Sequence, residues 1–286
     1  MLNMMKVELW KATHNKFFRR AILIGLTLTL INVAESAHRV KILTSEVVRY
    51  IAADIPVSTS IQGFSLFISW MPVHPSGLGS NIFYFIWPIL AAMPYAWSYT
   101  QERHSGLYNQ IVTRGCKNMY FLSKYFALFV SGGIAIALPV TLDLFLTALV
   151  CPTDVPDVTK SLIPLMNISF LSRLYYTRPW IYAVIWCCIE FLWGGVIAVA
   201  CLMVGSKLRF AAAIILFPFI SLVLCDFFLS IICNFFKIKQ PFSTMQLARA
   251  ASTAYNPYWT IPTVLCAMLI LTLLMGFWQV KKDELV

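Results

Sequence analysis

Six long apolar runs, separated by polar segments, dominate the sequence. Their approximate limits are 21–37, 81–98, 125–150, 180–204, 210–236 and 260–280. Each run approaches the roughly 20 residues that an α-helix needs to cross the hydrocarbon core of a bilayer. None shows the alternation over about 10 residues that is typical of a transmembrane β-strand. Because a backbone in lipid must satisfy its own hydrogen bonds, the pattern predicts an all-α, polytopic membrane protein. We expect six transmembrane helices in a single transmembrane domain, 1–286.

Residues 1–20 differ from the runs that follow, because they mix apolar and basic positions. Val7, Trp10, Phe17 and Phe18 recur at helical spacing, and lysines and arginines surround them. This pattern is typical of an amphipathic helix that lies in the headgroup layer of a membrane. The sequence therefore predicts an N-terminal interfacial helix in contact with membrane lipid.

The segment 38–80 is the longest stretch between two predicted spans. Val47, Val48 and Ile51 indicate a brief amphipathic helix, whereas the apolar stretch 64–71 is too short to cross a bilayer. Two interpretations remain open at this point. The segment is either an outer-face subdomain that partly re-enters the membrane or a loop that rests on its surface.

Composition supports a membrane protein and narrows the class of partner. Of the 286 residues, 59% are hydrophobic and 12% are charged, whereas a soluble domain has about a quarter charged residues. The formal net charge is +10. Lysine and arginine flank the predicted spans, a placement that suits anionic lipid, so we expect no nucleic-acid partner. Their concentration next to the span ends on one side predicts that both termini are cytoplasmic.

The sequence carries no recognisable catalytic motif. It has neither the phosphate-binding G-x-x-x-x-G-K-[ST] pattern nor the H-E-x-x-H and G-x-S-x-G patterns of hydrolases. The eight cysteines and four histidines show no metal-binding spacing. We therefore expect no catalytic residue, no metal site and no enzymatic activity in this chain.

Besides Glu35 at the end of the first run, three acidic residues fall inside predicted spans, Asp143, Glu190 and Asp226. A charged group at mid-bilayer costs at least about 2.5 kcal/mol, so each side chain should face the bundle interior, a partner or water. One interpretation is a polar patch on a transport path or a proton relay. The other is that Asp143 and Asp226 lie near outer span ends and are already hydrated, while Glu190, which is deeper, serves packing or transport.

A polar, basic island, Tyr99 to Lys124, separates the second and third runs. Within it, Leu107, Ile111 and Arg114 recur at i, i+4 and i+7, which predicts a short amphipathic helix. Glycine follows at position 115, where helices commonly end. A short helix held between two spans can lie along the membrane face and contact a soluble partner.

This island resembles the loop between the second and third spans of type-2 ABC-transporter permeases. The resemblance is carried by Glu102, Gly106, the Arg114-Gly115 pair, Tyr120 and Lys124, together with the basic amphipathic N-terminus and the six spans. The chain departs from the family pattern at Leu107, where such loops often carry threonine. It departs again at Arg114-Gly115-Cys116, where many have proline before a basic residue.

The resemblance implies the permease subunit of an ATP-driven exporter in a bacterial plasma membrane. Two such subunits, identical or paralogous, would pair with two ABC ATPase subunits, and ATP and Mg²⁺ would bind those partners. The island would be a coupling helix that transmits movement from the ATPase. The residues that it implies for this coupling are Glu102, Gly106, Leu107, Ile111, Arg114 and Lys124. The alternative is a secondary transporter that uses the intramembrane acids for ion coupling.

Overall fold

The computed structural model describes residues 2–55, 65–74, 76–114, 117–156, 165, 169–205, 208, 210–237, 243–250 and 259–282. This part of the chain is all-α, with 80% helix and no strand. Its helices are α1 (Leu2–Thr13), α2 (Lys16–Ala52), α3 (Leu66–Ser69), α4 (Leu78–Ala92), α5 (Ser98–His104), α6 (Leu107–Arg114), α7 (Lys117–Ala148), α8 (Ser172–Thr177), α9 (Pro179–Gly205), α10 (Ala211–Phe235) and α11 (Thr260–Lys282).

Four of these helices are long and apolar enough to cross a membrane. They are α2, α9, α10 and the Asn118–Ala148 part of α7. Two shorter apolar helices, Leu78–Ala92 and Thr260–Gly276, coincide with the predicted second and sixth spans. The all-α class is therefore as predicted, and four helices have the length and composition of membrane spans, while the number six stays a prediction.

Helix α2 continues well past Ala37, where the first span was expected to end. It has 37 residues, about 55 Å at 1.5 Å per residue, compared with a hydrocarbon core of about 30 Å. No proline or glycine interrupts residues 36–52, and Arg39 pairs with Glu35 one turn earlier. The apolar run ends near Ala37, but nothing in the local sequence stops the helix there, so residues 38–52 are helical.

The N-terminal 20 residues form two helices rather than one. Asn15 caps α2, since its side chain accepts from the Phe18 N–H at 2.7 Å and donates to the Pro94 carbonyl at 2.8 Å. Val7 and Trp10 are exposed on α1, whereas Phe17 and Phe18 lie half-buried on α2. The predicted continuous apolar face is therefore broken at Asn15.

The predicted second span also ends early. Helix α4 stops at Ala92 and a turn follows through residues 93–97, because Pro94 has no N–H to continue the helical hydrogen bonding. Pro94 thus lies outside a helix, whereas Pro88 and Pro218 lie inside α4 and α10. The turn redirects the chain into α5.

Helix α7 lies at the centre of the bundle, where it packs against α1, α2, α4 and α9. It approaches α9 closely at Gly132 and Gly194. A Cβ atom at Gly132 would lie 2.7 Å from the Gly194 carbonyl oxygen, and one at Gly194 would lie 2.5 Å from the Gly132 oxygen. Small residues allow helices in membranes to approach in this way.

The apolar stretch around α3 lies inside the protein rather than on its surface. Residues 66–71 are all buried. The Phe67 carbonyl accepts from the Tyr175 hydroxyl at 3.0 Å, and the Trp70 indole donates to the Val140 carbonyl at 3.1 Å. Hydrogen bonds therefore run in both directions between this segment and the surrounding helices, and they satisfy buried polar groups on each side.

Candidate functional site

A buried lysine, Lys124, joins three helices near the beginning of α7. Its side chain is 0% exposed. Its ammonium lies 2.8 Å from Glu8 Oε2 on α1 and 2.7 Å from Glu102 Oε1 on α5. A buried charge is tolerated only when it is paired and hydrogen-bonded, and Lys124 meets this condition by bringing together residues that are far apart in sequence.

Two tyrosines complete the hydrogen bonding around this lysine. The Tyr95 hydroxyl donates to Glu8 Oε2 at 2.8 Å and accepts from Lys124 at 3.1 Å. The Tyr120 hydroxyl donates to Glu102 Oε2. The Lys124 ammonium also lies 4.6 Å from the centre of the Tyr95 ring, within cation–π range. We call Glu8, Lys11, Tyr95, Glu102, Tyr120 and Lys124 the lysine cluster.

Lys11 balances the charge of the lysine cluster. Its ammonium lies 2.9 Å from Glu8 Oε1 and 3.7 Å from Glu102 Oε1. Two lysines therefore face two carboxylates. Burial acts to raise the pKa of Glu8, but the Lys124 charge and hydrogen bonds from Lys124, Lys11 and Tyr95 outweigh it and hold that pKa below its usual value. The cluster is thus an ionised network that fixes α1 against α5 and α7.

Of the six predicted coupling residues, Glu102 and Lys124 form an ion pair. Gly106 joins α5 to α6 with a φ of 75°, a conformation that favours glycine. Leu107 is 39% exposed, whereas Ile111 is half-buried against the aromatic core that contains Tyr120. The side chain of Arg114 lies outside the described residues.

Sequence reasoning missed Glu8, Lys11 and Tyr95, and took Tyr120 only as part of the family pattern. One signal was present, because Glu8 is the only acidic residue among residues 1–34. It stands four residues before Ala12, and both face α7, with Glu8 3% and Ala12 0% exposed. A lone acid on the inward face of a basic helix indicates a buried cation, but not which one.

An open groove of about 430 Å³ adjoins the lysine cluster. Trp10 and Lys11 of α1 line one part of it, and Gln101, Glu102 and Leu107 line another. Trp10, 63% exposed, stacks on the ring of His14 at 4.9 Å. The groove therefore presents exposed apolar side chains directly beside the ionised network.

A second buried polar group surrounds Asp143, on α7 far from Lys124. Asp143 is 0% exposed. Its Oδ2 accepts from the Met71 N–H at 2.7 Å, and its Oδ1 accepts from Asn32 Nδ2 at 3.0 Å. The interpretation that Asp143 is hydrated near a span end is therefore wrong, because the segment around α3 covers it. We call Asn32, Met71, His74 and Asp143 the aspartate cluster.

Hydrogen bonding fixes the tautomer of His74 in the aspartate cluster. Asn32 Nδ2 donates to Asp143 and to the Ser69 carbonyl, so Asn32 Oδ1 must accept from His74 Nδ1 at 3.1 Å. His74 Nε2 is buried and has no partner among the described residues. His74 lies between α3 and α4, where burial, and after it the Arg39 charge, lower its pKa to about 4.

Glu190 and Asp226, the other two predicted intramembrane acids, have different surroundings. Glu190 is 0% exposed, and its Oε1 accepts from the Tyr84 hydroxyl at 2.6 Å and the Trp186 indole at 3.3 Å. Asp226 is half-buried and accepts from the Thr244 N–H at 2.9 Å. Glu190 is thus an interior group, and Asp226 anchors the segment after α10.

Comparison with protein-family models, curated proteins and solved structures gave no match. Within the described part of the chain, no group of three or more His, Cys, Asp or Glu side chains could hold a metal ion. The functional argument therefore depends on the geometry of the two clusters and the surfaces beside them.

Proposed function

We propose that this chain is the membrane-spanning permease subunit of an ATP-driven exporter. A separate ATPase chain would hydrolyse ATP, and a second permease subunit would complete the pathway. The observation that carries the proposal is the Lys124 ion pair to both Glu8 and Glu102. It links the N-terminal helix, the loop that resembles a coupling loop, and the central helix of the bundle.

This linkage suits a device that transmits movement. A force on α5 or α6 reaches α7 through Glu102 and Lys124, and reaches α1 through the same ammonium and Glu8. Because α7 packs against α2, α4 and α9, movement of its Lys124 end would reach much of the bundle. Packed elements with buried polar links carry such coupling.

The surface that would receive the ATPase lies on α6 and the groove beside it. Leu107 is exposed and lines that groove, while Ile111 packs inward and positions the helix. Leu107 can therefore be changed without disturbing the core, which makes it the best probe of docking. Glu102 is unsuitable as a first probe, because its loss would also unbalance the lysine cluster.

The test is affinity purification of the tagged chain from its native host in mild detergent. We expect an ATPase with a phosphate-binding loop to co-purify in near-stoichiometric amount and to hydrolyse ATP in the complex. Leu107→Asp should reduce the recovered ATPase at least tenfold while leaving membrane insertion unchanged. Ile51→Asp, at another exposed apolar position on the far part of α2, is the matched control and should have no effect.

The proposal fails if only this chain is recovered, and if reconstituted vesicles transport substrate without ATP. It also fails if Leu107→Asp and Ile51→Asp retain equal amounts of the ATPase and support equal transport. Ile111→Asp is a weaker probe, because a charge there would disturb the packing of α6.

A secondary transporter is the second candidate, and one observation favours it. Asp143 and Glu190 are both fully buried, and neither forms an ion pair within the described residues. Buried acids of this kind mark proton relays in membrane proteins. Under this alternative an imposed pH gradient drives transport in ATP-free vesicles, and Asp143→Asn or Glu190→Gln abolishes it. Under the permease proposal the gradient alone drives none.

A further inference from the structure

A second groove lies beside the first, between the beginnings of α2 and α10. Its volume is about 820 Å³, within the range of pockets that hold small organic ligands. Phe17, Trp97 and Ala211 form its apolar wall, and Gln101 and His104 of α5 form its polar side. We call it the Phe17 groove.

The position of the Phe17 groove matches a membrane–water boundary. The apolar run of α2 begins at Ala21, one turn after Phe17, and that of α10 begins at Ala211 itself. Trp97 lies at the same level, and tryptophan is enriched at membrane interfaces. The groove therefore opens where polar headgroups meet acyl chains.

Three cations lie within three positions of Phe17 in the sequence, and none of them forms an ion pair in the described part of the chain. Lys16, Arg19 and Arg20 are exposed at the beginning of α2, and no acidic residue occurs in that turn. The Arg20 guanidinium lies 5.7 Å from the centre of the Phe17 ring, which holds it at the groove.

This placement is unfavourable for the isolated protein. The N-terminal end of a helix carries a partial positive charge, so lysine and arginine there oppose the helix dipole and one another. The buried indole Nε1–H of Trp97, on the wall of the groove, also lacks an acceptor among the described residues. A negatively charged ligand with further oxygen acceptors and an apolar tail would offset these costs.

We propose that the Phe17 groove binds one anionic phospholipid. The phosphate lies against Arg20, while Lys16 and Arg19 add positive charge at the same end of α2, and the upper part of an acyl chain lies along Phe17, Trp97 and Ala211. This inference does not depend on the proposed function, since it concerns the chain without an ATPase.

The experiment is native mass spectrometry of the purified full-length chain in mixed micelles that contain equal amounts of phosphatidylglycerol and phosphatidylcholine. We expect one phosphatidylglycerol to be retained at least fivefold more than phosphatidylcholine. The triple substitution Lys16→Gln, Arg19→Gln, Arg20→Gln should remove this preference. Lys41→Gln with Arg49→Gln, two exposed cations on the far part of the same helix, should leave it unchanged.

Ala211→Trp separates binding in the groove from diffuse attraction to a basic surface. It fills the groove and leaves all three cations in place, so we expect it to lower phosphatidylglycerol retention at least threefold. Excess inorganic phosphate should not displace the lipid, because it lacks the apolar tail. Equal retention of the two lipids, full retention by Ala211→Trp or by the triple variant, or displacement by phosphate would each overturn the proposal.

Discussion

The lysine cluster and the aspartate cluster occupy the two ends of α7, and they bury charge in different ways. Lys124 and Asp143 are 19 positions apart, about 28 Å along a helix, close to the thickness of a hydrocarbon core. At the first end, two carboxylates are matched by two ammonium groups. At the second, one carboxylate is held by a backbone N–H and an amide, both neutral.

Because of this difference, a substitution in the lysine cluster leaves an unbalanced buried charge, whereas one in the aspartate cluster leaves an unsatisfied hydrogen bond. Removing Lys124 would leave the carboxylates of Glu8 and Glu102 with only the half-buried Lys11 as a cation, whereas removing the charge of Asp143 would leave neutral groups with imperfect hydrogen bonds. A stranded buried charge costs more than an unsatisfied neutral donor. The comparison therefore predicts a ranking of variants, from the lysine cluster to the aspartate cluster and then to Glu190.

The largest expected effect comes from Lys124→Met, which keeps the volume and removes the charge. Breaking a buried ion pair by removing one partner costs about 3–5 kcal/mol. We expect a marked fall in the thermal unfolding midpoint of the purified protein, measured in one detergent at pH 7.5. Lys41→Met, at an exposed position on α2, is the control and should leave the midpoint unchanged.

A combined variant tests the reason for that loss. Adding Glu8→Gln and Glu102→Gln to Lys124→Met neutralises the whole core of the cluster, so stability should partly return. If the triple variant is less stable than Lys124→Met alone, the stranded charges are not the cause.

Asp143→Asn should have the next largest effect. One oxygen becomes an N–H₂ that faces the donors on Met71 and Asn32, and an unsatisfied buried donor costs about 1–3 kcal/mol. The same midpoint measurement applies. Asp226→Asn is the matched control, since that carboxylate is only half-buried. A loss for Asp143→Asn as large as that for Lys124→Met would refute the contrast between the clusters.

The two clusters should also lose stability in different pH ranges. His74 has a folded-state pKa of about 4, lowered first by burial and then by Arg39, compared with 6.5 when free. Between these values the unfolded chain binds more protons, so stability is complete above about pH 6.5 and falls toward pH 4. The pKa of Glu8 lies below 4.5, so its contribution is complete above about pH 4.5 and is lost only under more acidic conditions.

A pH titration of the unfolding midpoint tests this separation. Between about pH 7.5 and pH 5.5, His74 should account for a loss of about 1 kcal/mol. His74→Gln should flatten the curve in this range, whereas Lys124→Met should not change its slope. Identical slopes in wild type and His74→Gln would show that another group is responsible.

Glu190→Gln should have the smallest effect on stability, below about 1 kcal/mol. Glutamine keeps the Oε1 that accepts from Tyr84 and Trp186, and its amide nitrogen replaces Oε2, which already lacks a partner among the described residues, while a buried charge is removed. Tyr84→Phe, which does remove a donor, provides the comparison. A larger loss in Glu190→Gln than in Tyr84→Phe would indicate that the negative charge itself stabilises the bundle.

The sequence by itself determined the class of fold and several chemically important positions. Apolar runs of about 20 residues are a local property, and in lipid they permit only helices. Asp143 and Glu190 stood out because each is an acidic residue within an apolar run, and Glu102 and Lys124 stood out through the resemblance to the permease loop. The end of a helix was harder to predict, as α2 shows. A hydrophobic run indicates which residues can lie in lipid, but the helical backbone hydrogen bonds can continue into the polar residues that follow.

Only the tertiary structure decided which of these groups meet. Glu8 and Lys124 are 116 positions apart, and Met71 and Asp143 are 72 apart. Helical periodicity relates a residue to neighbours three or four positions away, and carries no information about a partner on another helix. Because α1 packs against α7, Glu8 forms an ion pair with Lys124. Because the α3 segment also packs against α7, Asp143 is buried, although one interpretation of the sequence had it hydrated.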